Sequence, residues 1–205
     1  YELVCTRLLD KDRRKSLVKR MIRPFRNARV REKENIEYHY DVPSRFYEIF
    51  LGKTMGYTCG YYSDQAATMD EAQIEKMNII CRKLDLKPGE TLLDIGCGWG
   101  NFAVYAAKHF GVSVTGITLS SEQKDYADQW AMREGLADAV DIRIMNYRDL
   151  GNVEYDKVSC VGMSEHVGRV NMAGFYAIIH RCLKPGGLFM QHTITTNRKC
   201  RKGYE

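Results

Sequence analysis

Residues Leu92-Leu93-Asp94-Ile95-Gly96-Cys97-Gly98-Trp99-Gly100 decide the fold of this chain. An apolar run carries an acidic residue near its end, and glycines then follow at alternate positions. Glycine lets the backbone turn sharply and lets a ligand approach without meeting a Cβ atom. The stretch therefore predicts a strand, a tight turn and the start of a helix, with a ligand above the carboxyl edge of a sheet.

The glycine spacing differs from the G-x-G-x-x-G pattern of dinucleotide-binding turns. Here Asp94 stands just before Gly96, and a carboxylate at that place disfavours a pyrophosphate. It suits instead a ligand with a cationic or hydrogen-bond-donating end. The alternative is an ordinary strand–helix turn that binds nothing.

The rest of the chain alternates between apolar runs and amphipathic segments. The runs lack the polar alternation of half-exposed strands, which indicates strands covered on both faces. We predict an α/β fold with a mostly parallel, doubly wound sheet and an N-terminal helical cap. The predicted strands are Thr91–Ile95, Val112–Ile117, Val140–Met145, Lys157–Met163 and Gly187–Thr193, and the predicted helices are Ser44–Phe50, Thr68–Leu84, Asn101–Phe110, Ser121–Glu134 and Met172–Leu183.

Three segments follow from the composition. Residues 1–34 are predicted to form a basic amphipathic helical arm, and residues 35–84 an aromatic-rich helical cap over the site. Residues 85–205 are predicted to form the ligand-binding core. The cap has two interpretations: a hydrophobic cover for the core, or a lid over a pocket for a flat or apolar ligand.

The charge is concentrated in the arm. The chain has a net charge of +5, yet residues 1–33 contain twelve Lys and Arg against four Asp and Glu. A basic, amphipathic segment over 7–33 predicts a polyanionic partner, and we favour an anionic membrane surface over nucleic acid. A solvated helix beside a domain boundary is the alternative. The sequence contains no apolar run long enough to span a bilayer.

The seven cysteines do not form a disulfide framework or a zinc motif. Their number is odd, they contain no C-x-x-C pair, and several stand inside apolar runs. Buried free thiols of this kind are typical of a reducing compartment. We therefore predict a cytoplasmic protein, peripheral to the membrane, without a metal.

An ordered set of motifs narrows the prediction. These motifs are His39-Tyr40-Asp41, Tyr57-Thr58-Cys59-Gly60-Tyr61, Asp94 to Gly100, Val114 to Ser120 with Gln123, Tyr147-Arg148-Asp149, Gly162 to Gly168, and His192-Thr193-Ile194. Together they resemble the cyclopropane-fatty-acyl-phospholipid synthases and mycolic acid cyclopropane synthases, which are class I methyltransferases dependent on S-adenosylmethionine (SAM). The resemblance implies a Rossmann-like core and a SAM-dependent methyltransferase activity.

The resemblance also implies a set of cofactor-binding residues. Asp94, Gly96 and Gly98 would line the methionine end of SAM, and the cap residues Tyr57 and Thr58 would close over it. The ribose would be held by Thr118, Leu119 and Gln123, and the adenine would lie near Asn146 and Tyr147.

In the same family, a bound bicarbonate acts as the general base. By resemblance, Cys59, Glu165, His192 and Ile194 would surround it. A buried structural cysteine and a satisfied core histidine are the ordinary alternatives for Cys59 and His192. We expect the neighbouring His166 to point away from Glu165 and to have a structural role.

The implied reaction converts the double bond of an unsaturated phospholipid acyl chain into a cyclopropane ring. Two alternatives remain: an amine N-methyltransferase on the same scaffold, and a fragment that binds SAM without activity. The partners predicted are the phospholipid and an anionic membrane, without nucleic acid, and a homodimer is left open. Because class I methyltransferases have further strands after the fifth, we expect the sheet to be incomplete at the C-terminus.

The sequence departs from the family pattern at three positions. Ser44 stands where asparagine is usual, Asn146 where aspartate is usual, and Ser164 where phenylalanine is common. We expect the first two to weaken cap closure or the adenine contact. The third is expected to widen the pocket near the base.

Overall fold

The computed structural model describes residues 43–64 and 68–195. The predicted arm, the 7–33 segment and the motif at His39 lie outside these ranges. The helices are α1 (Ser44–Leu51), α2 (Met69–Lys83), α3 (Asn101–Phe110), α4 (Ser121–Arg133) and α5 (Met172–Cys182). The strands are β1 (Thr91–Ile95), β2 (Ser113–Thr118), β3 (Val140–Ile144), β4 (Tyr155–Val161) and β5 (Leu183–His192).

The five strands form a parallel sheet in the order β3-β2-β1-β4-β5. The chain winds outward from β1 to one edge and then returns to the other, which confirms the predicted doubly wound class. Asp94 of β1 lies in register with Gly116 of β2 and Ser159 of β4. The carboxyl ends of the three central strands therefore meet at one edge.

The central strands β2, β1 and β4 are buried on both faces of the sheet, where successive side chains point to opposite sides. Leu92 packs with Ile80, Phe102 and other residues of α2 to α4 in one apolar cluster. The next residue, Leu93, packs on the other face in a cluster that includes Phe175 of α5. This arrangement explains why the β1 sequence is apolar without alternation, whereas the edge strand β3 alternates between apolar and charged residues and is exposed on one face.

Helix α2 begins with a capping box. The Thr68 side chain accepts a hydrogen bond from the Glu71 main-chain N–H, and the Glu71 carboxylate accepts one from the Thr68 N–H. Thr68 is therefore the N-cap. These bonds satisfy main-chain donors that have no partner within the helix.

The cap is fastened to the glycine turn by Trp99. Its indole Nε1 donates to Ser44 Oγ over 3.0 Å, and its ring lies 4.5 Å from that of Tyr47. The Ser44 N–H donates in turn to Glu122 Oε1 on α4. The serine that we expected to weaken the cap thus joins α1 to both the turn and the core.

The boundaries of the last two strands differ from the prediction. β4 ends at Val161 and not at Met163, because Gly162 turns the chain with a φ of +72°. β5 begins at Leu183 and not at Gly187, because Leu183 pairs with Tyr155 across a bulge. Both differences depend on contacts between distant residues.

The glycine turn gives a matched pair of variants. Gly96 and Gly98 both have positive φ, but a Cβ at Gly96 would lie 2.6 Å from Met163, whereas a Cβ at Gly98 would meet nothing within 4 Å. We expect Gly96→Ala to lower the free energy of unfolding by about 2–4 kcal/mol, and Gly98→Ala by only about 1 kcal/mol. Urea unfolding measures both, and equal losses would contradict this account of the turn.

Candidate active site

A cavity of roughly 1170 Å³, counting its open mouth, lies at the carboxyl edge of the sheet. Its floor is the glycine turn and its roof is the loop after α1. It is lined by all of the residues predicted to hold the cofactor, namely Tyr57, Thr58, Asp94, Gly96, Gly98, Thr118, Leu119, Gln123, Asn146 and Tyr147. The structure brings these residues together, and their role in binding stays a prediction.

Asp94 places a buried carboxylate in this cavity. Its side chain is 2% exposed and accepts a hydrogen bond of 2.8 Å from Ser159 Oγ. Burial raises the pKa of Asp94 to about 6, and the bond from Ser159 only partly opposes this shift. A carboxylate held at such a cost is typical of a binding site for a cation or a strong hydrogen-bond donor.

The end of β2 and the start of α4 hold Gln123 in one orientation. Its side-chain Oε1 accepts a 2.6 Å hydrogen bond from Thr118 Oγ1, and its main-chain N–H donates to the N-cap residue Ser120. With the carbonyl engaged, the amide nitrogen is the part of this side chain that can donate to a ligand hydroxyl. The geometry is consistent with the predicted ribose contact.

Asn146 and Tyr147 follow β3. Asn146 Oδ1 accepts a hydrogen bond from the Arg148 main-chain N–H and caps the short 3-10 helix Tyr147–Asp149. Tyr147 packs edge-on against Phe175 and carries the Arg148 guanidinium 4.5 Å from its ring centre. The asparagine thus makes the same kind of capping bond that an aspartate would make.

The roof loop is held by two residues that the sequence analysis missed, Gln73 and Lys76 of α2. Gln73 Nε2 donates to the carbonyl oxygens of Gly56 and Thr58, and Lys76 Nζ donates to Thr58 Oγ1 over 2.6 Å. On the other side, Thr58 packs so closely against Gly162 that a Cβ there would lie 2.3 Å from its methyl group. Thr58 is therefore clamped from both sides.

The sequence contained a signal for Lys76. It stands between Ala72 and Ile80 at the i, i+4 spacing of a buried helix face, where an apolar residue is expected. Its side chain is indeed buried, and it lines the cavity. A charged residue on a buried face is a candidate for function.

The residues predicted to hold the base form two contacting pairs. Cys59 Sγ lies 3.9 Å from His192 Nε2, and Glu165 Oε1 accepts a 2.8 Å hydrogen bond from the Ile194 main-chain N–H. These four residues do not line the cavity themselves. They adjoin it, because Cys59 follows Thr58 in the roof and Glu165 stands between the lining residues Met163 and His166.

His192 and Glu165 differ in charge: the imidazole is neutral and the carboxyl group is ionised. Burial lowers the pKa of His192, as does the positive charge of Lys76, so the imidazole is neutral at pH 7. Partial burial alone would raise the pKa of Glu165, but hydrogen bonds, led by that of the Ile194 N–H, outweigh it and lower the pKa. Glu165 is therefore a carboxylate.

His192 Nδ1 is buried and has no hydrogen-bond partner among residues 43–64 and 68–195. A buried polar atom without a partner is costly, so it marks a place where a small polar molecule is expected. The site thus fits a small hydrogen-bonding group such as bicarbonate, as Glu165 and Cys59 lie in the same region.

Ser164 does not widen the cavity, contrary to our expectation. It is buried, is absent from the cavity lining, and accepts a hydrogen bond of 2.9 Å from Gln191 Nε2. Gln191 accepts another from the Tyr176 hydroxyl. The small side chain is therefore used to tie the turn after β4 to β5.

His166 also differs from the prediction. We expected a purely structural role, but His166 lines the cavity, whereas Glu165 does not. The short 3-10 helix Ser164–His166 turns successive side chains in different directions, which a strand-based argument could not anticipate. His166 is therefore in a position to contact a bound molecule.

Neither a metal cluster nor a membrane span is found in the part of the chain that the structure describes. No group of three or more His, Cys, Asp or Glu side chains there could hold a metal ion. None of the helices in the same ranges is long and apolar enough to cross a bilayer.

Comparison with known proteins identifies the family. Residues 27–203 match the family described as mycolic acid cyclopropane synthetase. The chain belongs to this family. The predicted recognition is thereby confirmed, and with it the class I SAM methyltransferase fold.

Three similar proteins illustrate the relationship. The chain is 46% identical over 163 residues to a probable fatty acid methyltransferase of Pseudomonas putida, covering 79% of this chain and 41% of that protein. It is 44% identical over 160 residues to the cyclopropane-fatty-acyl-phospholipid synthase of Escherichia coli K12, covering 78% and 40%. The solved structure of mycolic acid cyclopropane synthase CmaA1 complexed with SAH and CTAB has a TM-score of 0.74 at 31% identity, covering 78% and 55%.

The chain spans about two fifths of the length of the curated relatives it matches, 41% and 40% in these two cases. The family match over residues 27–203 includes the cavity and the residues beside it.

Asp94 gives a prediction that separates binding from stability. Since burial raises its pKa from 3.8 to about 6, the folded protein binds a proton more tightly than the unfolded chain, and stability falls as pH rises through this window. Asp94→Asn should remove that fall and stabilise the ligand-free protein at neutral pH by about 3 kcal/mol, while weakening cofactor binding. Thermal unfolding between about pH 4 and pH 7 measures the difference.

The expected pattern is a stabilisation that is small at the acid end of the range and grows towards neutral pH. A pH-independent difference between the variant and the native protein would show that the Asp94 carboxylate carries no such cost. A loss of stability in Asp94→Asn at every pH would contradict the account of a buried, unpaired charge.

Proposed function

We propose that the protein transfers a methylene group from SAM to the double bond of an unsaturated phospholipid acyl chain, forming a cyclopropane ring. One observation carries the proposal. In a chain of the cyclopropane synthetase family, the cavity lined by the predicted SAM-binding residues adjoins the Cys59–His192 and Glu165–Ile194 pairs.

The cavity suits SAM in its charge and its shape. When bound, SAM supplies an electrophilic methyl group on a sulfonium cation. Asp94 would accept hydrogen bonds from the amino group of the methionine moiety, and Gln123 would donate to a ribose hydroxyl. The open space beside Gly98 leaves room for the ligand against the backbone.

The acceptor requires a base that acts late. An alkene has no acidic proton to lose before it attacks, and the cation formed on its carbon atoms must lose a proton from the new methyl group for the ring to close. The ring of Tyr57 packs edge-on at 6.2 Å from that of Trp99. Aromatic rings in this position would stabilise the cation through their quadrupoles.

Bicarbonate is proposed as that base, bound between Glu165 and the Cys59–His192 pair. When bound, it would supply an oxygen that takes the proton. The ionised Glu165 would hold its hydroxyl group, and the unpartnered Nδ1 of His192 supports the presence of a further polar group. General-base assistance typically contributes about 10²–10⁴-fold in rate.

The experiment is lipid analysis with the full-length protein. Vesicles of unsaturated phosphatidylglycerol and phosphatidylethanolamine are incubated with SAM carrying a trideuterated methyl group, with and without bicarbonate, and the acyl chains are examined by mass spectrometry. We expect a chain extended by one methylene that retains two of the three deuterium atoms. A methyl branch would retain all three, and no new species would refute the proposal.

Glu165→Gln is the matching variant, because it keeps the size of the side chain and removes its charge. We expect it to lower kcat by at least about a hundredfold. Glu154→Gln is the control, since Glu154 is an exposed residue of the loop before β4, and should leave the rate unchanged. Equal rates for the two variants would remove Glu165 from the mechanism.

The same assay tests the alternative activity of an amine N-methyltransferase. Transfer of the label to an amine and not to lipid would favour that alternative. Turnover would then be independent of bicarbonate, because methylation of an amine removes no proton from the transferred methyl group.

The basic segment over residues 7–33 is proposed to attach the protein to the anionic membrane surface that holds its substrate. Each Lys or Arg near such a surface contributes roughly 1 kcal/mol, and salt screens this attraction. We expect the full-length protein to co-sediment with phosphatidylglycerol vesicles at low salt and to be released at high salt. Sedimentation that ignores both salt and lipid charge would contradict an electrostatic attachment.

A further inference from the structure

Lys76 is a buried cation without a counter-ion among the described residues. Its side chain is 5% exposed, and its ammonium donates only to neutral oxygens, Thr58 Oγ1 and Gln73 Oε1. The other buried lysine in the described ranges, Lys157, has the carboxylate of Glu90 at 3.6 Å. Buried charges in proteins are normally paired, because an unpaired one loses its hydration without compensation.

Burial disfavours the charged form of Lys76, and this lowers the pKa of its ammonium group. Burial lowers its pKa to about 8, and the neighbouring Cys59 only partly offsets the shift. The residue is nevertheless placed on the cavity wall. A cation that lines a cavity and lacks an anion of its own indicates that a ligand brings the anion.

Asp94 is the complementary case. It is an equally buried carboxylate in the lining of the same cavity, with only the neutral Ser159 hydroxyl bonded to it. Lys76 comes from α2 and Asp94 from β1, and they do not form an ion pair with each other. The cavity therefore presents one separate positive and one separate negative group, which is the complement of an amino-acid zwitterion.

We propose that Lys76 binds the carboxylate of the methionine moiety of SAM, while Asp94 takes its amino group. This inference rests on the proposed function, which identifies SAM as the methyl donor. Through its bond to Thr58, the same ammonium links the carboxylate to the roof loop, so the loop is held in place by the ligand that it covers. Lys76 is thus a ligand-binding residue and not only a support for the loop.

The test compares two ligands that differ in one group. S-adenosylhomocysteine keeps the carboxylate of SAM, and its decarboxylated analogue lacks that carboxylate but keeps the amino group, the sulfur and the adenosine. Both are titrated calorimetrically into the full-length protein and into Lys76→Met, whose side chain has a similar length and no charge. We expect Lys76→Met to lower the affinity for S-adenosylhomocysteine by at least about tenfold and the affinity for the analogue by less than about twofold.

Three further variants distinguish the effect of the positive charge of Lys76 from its support of the roof loop. Lys76→Arg keeps a positive charge and should retain selectivity for the carboxylate. Thr58→Val removes the hydroxyl group that accepts the hydrogen bond from Lys76, so it should lower the affinity for both ligands to the same extent. Lys87→Met removes an exposed lysine paired with Asp85 at the far end of the sheet and should change neither affinity.

Proton uptake gives a second measurement. Cys59 from the roof loop and His192 from β5 interact electrostatically with Lys76, and Asp94 from β1 and His166 from the turn after β4 line the same cavity. An added carboxylate favours the charged form of Lys76, so binding of S-adenosylhomocysteine near pH 8 should take up protons. Titrations in two buffers of different ionisation heat measure this uptake. Lys76→Met should reduce it and leave only the part that belongs to the amino group of the ligand.

The outcomes are distinct. Equal weakening of both ligands in Lys76→Met would overturn the inference in favour of loop support, and no weakening would overturn it outright. Loss of bicarbonate binding, measured by ¹³C line broadening, with unchanged S-adenosylhomocysteine affinity would also overturn it and assign the anion to bicarbonate. If the carboxylate selectivity is found but the lipid assay gives no product, the proposed function fails and this inference stands for another SAM-dependent reaction.

Discussion

The close approach of the glycine turn to its neighbouring strands controls the rest of the site. The N–H groups of Gly96 and Cys97 both donate to the Ile117 carbonyl of β2, and the space beside Gly96 is filled by Met163 after β4. This contact sets where α3 begins and where the Trp99 indole lies. Because the cap is fastened to that indole, both the floor and the roof of the cavity depend on one backbone geometry.

The sequence predicted the parts of this arrangement that depend on local pattern. Most of the strands were visible as apolar runs, and the glycine turn after β1 was visible from its spacing. The remaining cofactor residues were inferred from the resemblance to a known family and not from local pattern. The burial of Lys76 and the start of β5 at Leu183 were missed, since both arise from contacts between segments distant in the chain. The place of His166 in the cavity lining was also missed, because His166 belongs to a single turn of 3-10 helix and not to a strand.

Two carboxylates at the same edge of the sheet are held in opposite ways. Asp94 is fully buried with one neutral donor, and its pKa is raised, whereas Glu165 is partly exposed and held by a main-chain N–H, and its pKa is lowered. Two carboxyl groups whose pKa values are shifted in opposite directions are suited to different tasks. Asp94 is costly to keep charged, so it gains most from a cationic ligand that pairs with it. Glu165 is already stabilised as an anion, so it can hold a reactive partner without being neutralised.

The roof loop couples the two halves of the site through adjacent residues. Thr58 is wedged between Gly162 on one side and Lys76 with Gln73 on the other, and the next residue, Cys59, contacts His192. One peptide unit separates Thr58, which lines the cavity, from Cys59, which contacts His192. A change that moves Thr58 therefore shifts Cys59 as well, so the cavity and the proposed base site are structurally coupled.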